Sequence, residues 1–254
     1  MQKEKAVPPL PGGSGSAPLE LNEKAGFAVA IDGPMGVGKS TVAKMLAQML
    51  NMTYIDTGAM YRAVTFYNIQ RGTNLALNGE LEKSLPDINI DIRNIDGLQR
   101  IYLNGQDVTD LIRTQEISDI TSRIVAINAA VREKLVAQQR QIAEKGEVVM
   151  DGRDIGSHVL PWAQLKIYLD AAPEIRARRR CLELEDKGQL ADFAKVLQET
   201  KIRDDRDKTR LISPLVQTKD AIYIDTANMT QQQVAEKIAE YVLQKKAEEN
   251  LHAL

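Results

Sequence analysis

Residues 32–41 read DGPMGVGKST and follow the apolar run Phe27, Ala28, Val29, Ala30, Ile31. A chain that leaves a strand, sets Gly33, Gly36 and Gly38 within six positions and then offers Lys39, Ser40 and Thr41 to a helix start has the spacing of a P-loop. Glycines let backbone N–H groups turn inward around phosphate oxygens, and the helix N-terminus adds a favourable dipole. Lys39 supplies a mobile cation and Ser40 a hydroxyl that reaches magnesium. Downstream, Val42, Met45, Leu46, Met49 and Leu50 recur at helical spacing, so the motif sits between a strand and a helix as it must. Gly33, Pro34, Met35, Gly36, Val37, Gly38, Lys39, Ser40 and Thr41 are therefore candidates to hold a nucleoside triphosphate. The motif alone does not separate a kinase from a switch GTPase or a motor.

Four further apolar runs end in an acid: Met52–Ile55 before Asp56, Val148–Met150 before Asp151, Leu165–Leu169 before Asp170, and Ile222–Ile224 before Asp225. Helical patterning separates them, which predicts an α/β fold with five parallel strands flanked by helices. Ligands of such sheets lie beyond the carboxyl ends of the strands, so the polar residues ending the runs are candidates to face a site. One insertion breaks the alternation. Ile88, Ile90, Ile92 and Ile95 sit near period two, Asp96-Gly97 and Asn104-Gly105 offer tight turns, and Ile101 and Leu103 lie between them. A small antiparallel sheet over residues 86–110 is expected, well placed to cover an acceptor substrate.

The 254 residues suit one α/β domain with inserts, and the formal net charge of -2 gives no basic excess to attract nucleic acid or membrane. Cys181 is the only cysteine, which excludes an intrachain disulfide and points to a reducing, cytoplasmic setting. No run approaches the apolar length of a membrane span, and the N-terminus lacks the apolar centre of a signal peptide. Val7–Pro18, VPPLPGGSGSAP, cannot bury apolar surface; residues 1–24 are read as a flexible tail ahead of a domain over 25–254.

Seven of the sixteen arginines fall between Arg176 and Arg210. Arg62 follows one strand end and Arg153 another, while Arg203, Asp207 and Arg210 are expected on one helical face, with Arg203 and Asp207 spaced for an i,i+4 staple. Arginine binds phosphate bidentately and stays charged when partly desolvated. A cluster beyond the needs of one triphosphate suggests a second phosphorylated ligand. Asp151 ends its strand in a Walker-B-like place, as a candidate either to orient magnesium or to cap a loop.

DGPMGVGKST, DTGAMYR, IRTQEI, VREKL, DGRDIG, LKIYLDA, RARRR and RDDRDKTR, in this order and at these intervals, resemble bacterial cytidylate kinases from about Phe27 to about Lys245. The resemblance implies a nucleoside monophosphate kinase fold, with the insertion binding the monophosphate, a mobile helical lid over 176–212, and a monomer. It implies phosphoryl transfer from ATP, with magnesium, to CMP or dCMP. It carries the acceptor onto Thr57, Arg62, Ser122, Arg132, Arg153, Asp154, Arg203, Asp207 and Arg210, the donor onto the P-loop and Arg179, and magnesium onto Ser40 and Asp151. Lys39, Arg153, Arg203 and Arg210 are its implied catalytic residues. Thr57 stands where the family often has serine, and Ser157-His158 where threonine and valine are usual.

The chemistry agrees. A nucleotide phosphate has its second pKa near about 6, so the nucleophile is deprotonated at neutral pH and no general base is required. Only two histidines are present, and that is no obstacle. A switch GTPase should carry Asn-Lys-x-Asp, which does not occur; a kinase for UMP, AMP or shikimate is the closer rival. An aromatic content of 4% and the near-neutral charge give little support to nucleic-acid binding.

Overall fold

The run ahead of the glycine-rich loop is buried throughout, and all of it after Phe27 lies in a strand, β1 (Ala28–Asp32). The structure, a computed structural model, describes residues 26–75, 77, 79–95, 98–186 and 188–252. The expected tail and the Asp96-Gly97 turn lie outside these residues. The chain continues through α1 (Lys39–Leu50), β2 (Thr53–Asp56), α2 (Thr57–Gln70) and α3 (Glu80–Ser84) into β3 (Ile90–Ile95), β4 (Leu98–Leu103) and β5 (Gln106–Asp107). Then come α4 (Gln115–Arg123), α5 (Ala129–Ala143), β6 (Val148–Gly152), β7 (Leu165–Asp170), α6 (Pro173–Glu185), α7 (Phe193–Thr209), β8 (Ile222–Asp225) and α8 (Gln231–His252).

The five expected strands form one parallel sheet in the order β2-β6-β1-β7-β8. On one face Val29, Ile31, Ile167 and Leu169 meet Val42 and Leu46 of α1 and Val234 and Ile238 of α8. On the other, Ala30, Ile55 and Met150 meet Val136 of α5 and Ile155, Val159 and Leu160. Cover on both faces is why these strands read as continuous apolar runs rather than alternating ones. The register sets Asp32 beside Gly152 and Tyr168, and Asp56 beside Asp151, so the carboxyl ends finish level. That edge faces the site.

The insertion is a separate antiparallel sheet, β3-β4-β5. Asn104 at φ 49° and Gly105 at φ 85° make the mirror-image turn that suits the twist of a hairpin. Ile90, Ile101 and Leu103 pack with Met60 and Val64 of α2 and Leu135 of α5. Ile95, out of phase with Ile88, Ile90 and Ile92, is exposed. Helices α6 and α7 pack on one another through a small apolar core of Ala177, Cys181 and Val196. Arg210 does not share the helical face expected of it. Helix α7 ends at Thr209, and at φ -58°, ψ 139° the backbone of Arg210 has left it. Among the described residues no helix is long and apolar enough to cross a membrane.

Candidate active site

One side of the site, the P-loop, is built where β1 passes into α1. A Cβ on Gly33 would lie 2.1 Å from the Leu169 carbonyl oxygen, so only glycine lets the loop leave between β1 and β7. Lys39 is buried and reaches back across the loop, its Nζ donating to the Pro34 carbonyl at 2.7 Å. Burial pushes the Lys39 ammonium well below its ordinary pKa and Arg153 adds to this, while Asp151, Asp207 and Asp32 hold it up. Ser40 Oγ donates to Asp151 Oδ2 and Tyr54 Oη to Oδ1, both at 2.8 Å. Burial, and next the neighbouring Asp56, push Asp151 above the usual carboxylate range. Thr57 Oγ1 donates to the Asp151 carbonyl at 2.7 Å, which fixes the start of α2 against β6. On α6, Arg179 donates to the Thr226 carbonyl at 2.6 Å, and Arg176 clasps Asp204 while donating to Met35 O at 3.0 Å.

The opposite side gathers side chains from the other strand ends and the helices around them. Asp56 caps α2 by accepting from the Ala59 N–H at 2.9 Å, and its other oxygen takes Arg62 at 2.9 Å, with Arg113 at 3.7 Å. Arg132, from α5, is paired with Asp154, and Arg210 approaches the second Asp154 oxygen at 3.4 Å. Arg153 donates to Asp207 at 2.7 Å. Burial raises Asp207, but Arg153, Arg203 and Arg210 outweigh it and hold the carboxyl below its usual range. The Arg203–Asp207 staple that the spacing left open is not among the ion pairs of the described residues. Asp207 turns across the cleft to Arg153, which lies 54 residues away in sequence. Arg203 instead keeps a buried Nε with no hydrogen-bond partner, and burial, with Arg153 next, brings its pKa down to about 10.

Both sets of residues line one cleft of about 730 Å³, and arginines outnumber carboxylates along its wall. All the predicted site residues line it except Gly33, which is packed against β7, and Pro34, whose carbonyl holds Lys39. His158 is exposed and lies outside the cleft.

A protein-family model described as "Cytidylate kinase" matches residues 29–244. The chain belongs to the cytidylate kinase family. It is similar to the cytidylate kinase of Bacillus licheniformis, 46% identical over 226 residues that cover 87% of this chain and 98% of that protein. It is equally similar to the cytidylate kinase of Bacillus subtilis, 46% identical over 219 residues covering 86% and 97%. Among solved structures it is similar to a shikimate kinase from Acinetobacter baumannii in complex with shikimate, at 18% identity and a TM-score of 0.40, covering 88% of this chain and 96% of that one.

Beyond the residues that the sequence assigns, several more line or brace the site of this member of the cytidylate kinase family. Arg113 and Arg180 line the cleft and Arg176 ties α6 to the P-loop. Arg113 lies inside the IRTQEI stretch, so its signal was present but unassigned. Tyr54 carries only an apolar-strand signal in the sequence, yet its hydroxyl holds Asp151. Asp32 carries no motif role, but its carboxylate accepts from the N–H groups of Ile155 and Gly156, both at 2.8 Å. Only its position at a strand end could have flagged it. Ser40 and Asp151 present oxygens and neither nitrogen nor sulfur. That donor set suits magnesium, which takes one or two protein oxygens and fills its shell with water and phosphate.

Proposed function

We infer that this kinase transfers the γ-phosphoryl group of ATP to CMP or dCMP, giving CDP or dCDP and ADP. The observation that carries the reading is one cleft in which a P-loop faces Asp154, itself held by Arg132 and Arg210, and the partnerless Nε of Arg203. The P-loop N–H groups and Lys39 bind the β- and γ-phosphates of the donor, and Arg179 steadies its nucleoside end. Arg62, Arg153 and Arg210 hold the acceptor phosphate, and Arg203 supplies the donor group that has no protein partner. Thr57 keeps the start of α2 and its Arg62 at the strand ends, and Asp207 keeps Arg153 extended.

An oxygen of the acceptor phosphate attacks the γ-phosphorus, and the bond to the β–γ bridging oxygen breaks, leaving ADP. No proton need be removed first. Lys39, Arg153, Arg203 and Arg210 spread the charge of the transferring group, and alignment supplies the rest. When bound at Ser40 and Asp151, magnesium neutralises phosphate charge. The sheet over 86–110 buttresses the acceptor side, since Gln99 accepts from the Asp56 N–H at 3.2 Å, and the helices over 176–212 act as the lid. The enzyme works as a monomer in the cytoplasm, where its nucleotides are found.

Asp154 reads the exocyclic amine of cytosine, a donor where uracil presents an acceptor, and Ser122 and Arg132 supply donors beside it. Measuring ADP formation with CMP, dCMP, UMP, AMP and shikimate tests the acceptor directly, and preference for AMP or shikimate overturns it. Asp154→Ala should cut kcat/KM for CMP at least tenfold more than for UMP, roughly the discrimination of one buried pairing. An equal loss with both would return Asp154 to a purely structural ion pair.

A further inference from the structure

Arg206 has no part in the reaction above, yet it crosses from α7 to the acceptor side. Its guanidinium donates to Ser122 Oγ on α4 at 3.3 Å. Guanidinium has no acceptor, so the direction of this bond is fixed: Ser122 accepts, and its own hydrogen must go elsewhere. A helical serine or threonine usually sends that hydrogen to the carbonyl four residues back. Both neighbours do so, Ser118 to Thr114 O at 2.9 Å and Thr121 to Ile117 O at 2.6 Å. Ser122 forms no such bond among the described residues, and it lines the cleft. A second lid contact lies along the same helix, from Arg180 of α6 to Gln115 Oε1 at 2.9 Å.

We propose that Arg206 is a positioning residue for base choice, holding Ser122 as a hydrogen-bond donor toward the bound pyrimidine and so coupling the place of the lid to recognition of cytosine. This rests on the reading above that Ser122 faces the base. A positive charge on the Ser122 oxygen makes its O–H a stronger donor and its remaining lone pair a weaker acceptor. Cytosine offers an acceptor at N3 and uracil an N–H, so the bias favours cytosine. The lid helix must be in place for the bias to operate.

Steady-state kinetics with CMP and UMP on Arg206→Ala, Arg206→Gln, Ser122→Ala and the Ser122→Ala/Arg206→Ala pair test this, with thermal midpoints to verify folding. Arg206→Ala should lower the CMP-to-UMP ratio of kcat/KM by roughly tenfold, mainly through the KM for CMP, with the KM for ATP unmoved. Arg206→Gln, which retains an N–H donor, should restore part of the ratio. The double variant should discriminate no worse than Ser122→Ala alone. Equal losses with both nucleotides, or additive effects in the double variant, would reduce Arg206 to a lid strut. If Ser122→Ala leaves the ratio unchanged, Ser122 does not face the base and the assignment of that residue fails first.

Discussion

Asp32 ends β1 with its carboxylate inside the protein, and the two N–H groups it accepts open the turn that follows Arg153 and Asp154. It thereby ties the strand of the P-loop to the loop that carries Arg153 and Asp154. Burial nevertheless pushes its pKa up to about 6, and Asp154 adds to the rise, against the bonds from Gly156 and Ile155 and the charge of Lys39. A carboxyl raised in the folded chain favours folding while it is protonated, and that contribution is lost as the pH climbs through about 6. The gap from 3.8 to about 6 is worth about 3 kcal/mol. Urea unfolding of the wild type and of Asp32→Ala, each at pH 4 and pH 7, isolates it by difference. The advantage of the wild type over the variant should shrink by up to about 3 kcal/mol between the two pH values. A difference that does not change with pH would mean that Asp32 ionises as an ordinary surface carboxyl does.

At the scale of elements, α6 and α7, the proposed lid, share the smallest apolar cluster among the described residues. Between α6 and α7 the buried apolar residues are Ala177, Cys181 and Val196, and the buried pair Arg176–Asp204 carries much of the join. Asp204→Ala leaves the Arg176 guanidinium buried without its carboxylate, at a cost of roughly 3–5 kcal/mol. With so small a core beneath it, the loss should appear as local opening. Amide exchange should quicken across residues 173–209 while β1 and β7 stay protected; uniform quickening through the sheet would show the lid to be part of the global unit. The strands are legible in sequence because strands covered on both faces need apolar residues whatever their neighbours are. The P-loop is legible because its backbone path demands glycine at fixed offsets. The arginine partners are not. Spacing along α7 suggests Arg203 with Asp207, but Asp207 belongs to Arg153, and the choice depends on how β6 sits against the lid. Nor does the π-helical turn Ile155–Val159 have a period long enough to read, though it supplies the N–H groups that Asp32 accepts.

Over the whole molecule, cations from α1, α2, α5, α6, α7 and the end of β6 converge on one edge of the sheet. Convergence has a cost before any phosphate arrives. Burial lowers the pKa of Arg203 to about 10 and drives that of Lys39 down, and in both the next contribution is repulsion from Arg153. The cleft is thus set against the stability of the chain that builds it, a common bargain at binding sites. On the function proposed above, a dianionic phosphate would relieve the repulsion and satisfy Arg203 Nε, and a nucleoside without phosphate would do neither. At a hundredfold excess over its dissociation constant, CMP should stabilise the fold by about 2.7 kcal/mol, a rise in Tm of roughly 5–10 °C for a chain of this size. Cytidine at the same concentration should move Tm by about 1 °C or less, and the CMP shift should shrink at high salt as screening sets in. Arg203→Gln should separate the two effects in one calorimetric experiment. Its Tm without ligand should rise, because a buried and repelled charge is gone, while its shift with CMP should fall below that of the wild type. A variant that loses stability without ligand and keeps the full CMP shift would mean that Arg203 braces the lid and leaves the phosphate to its neighbours.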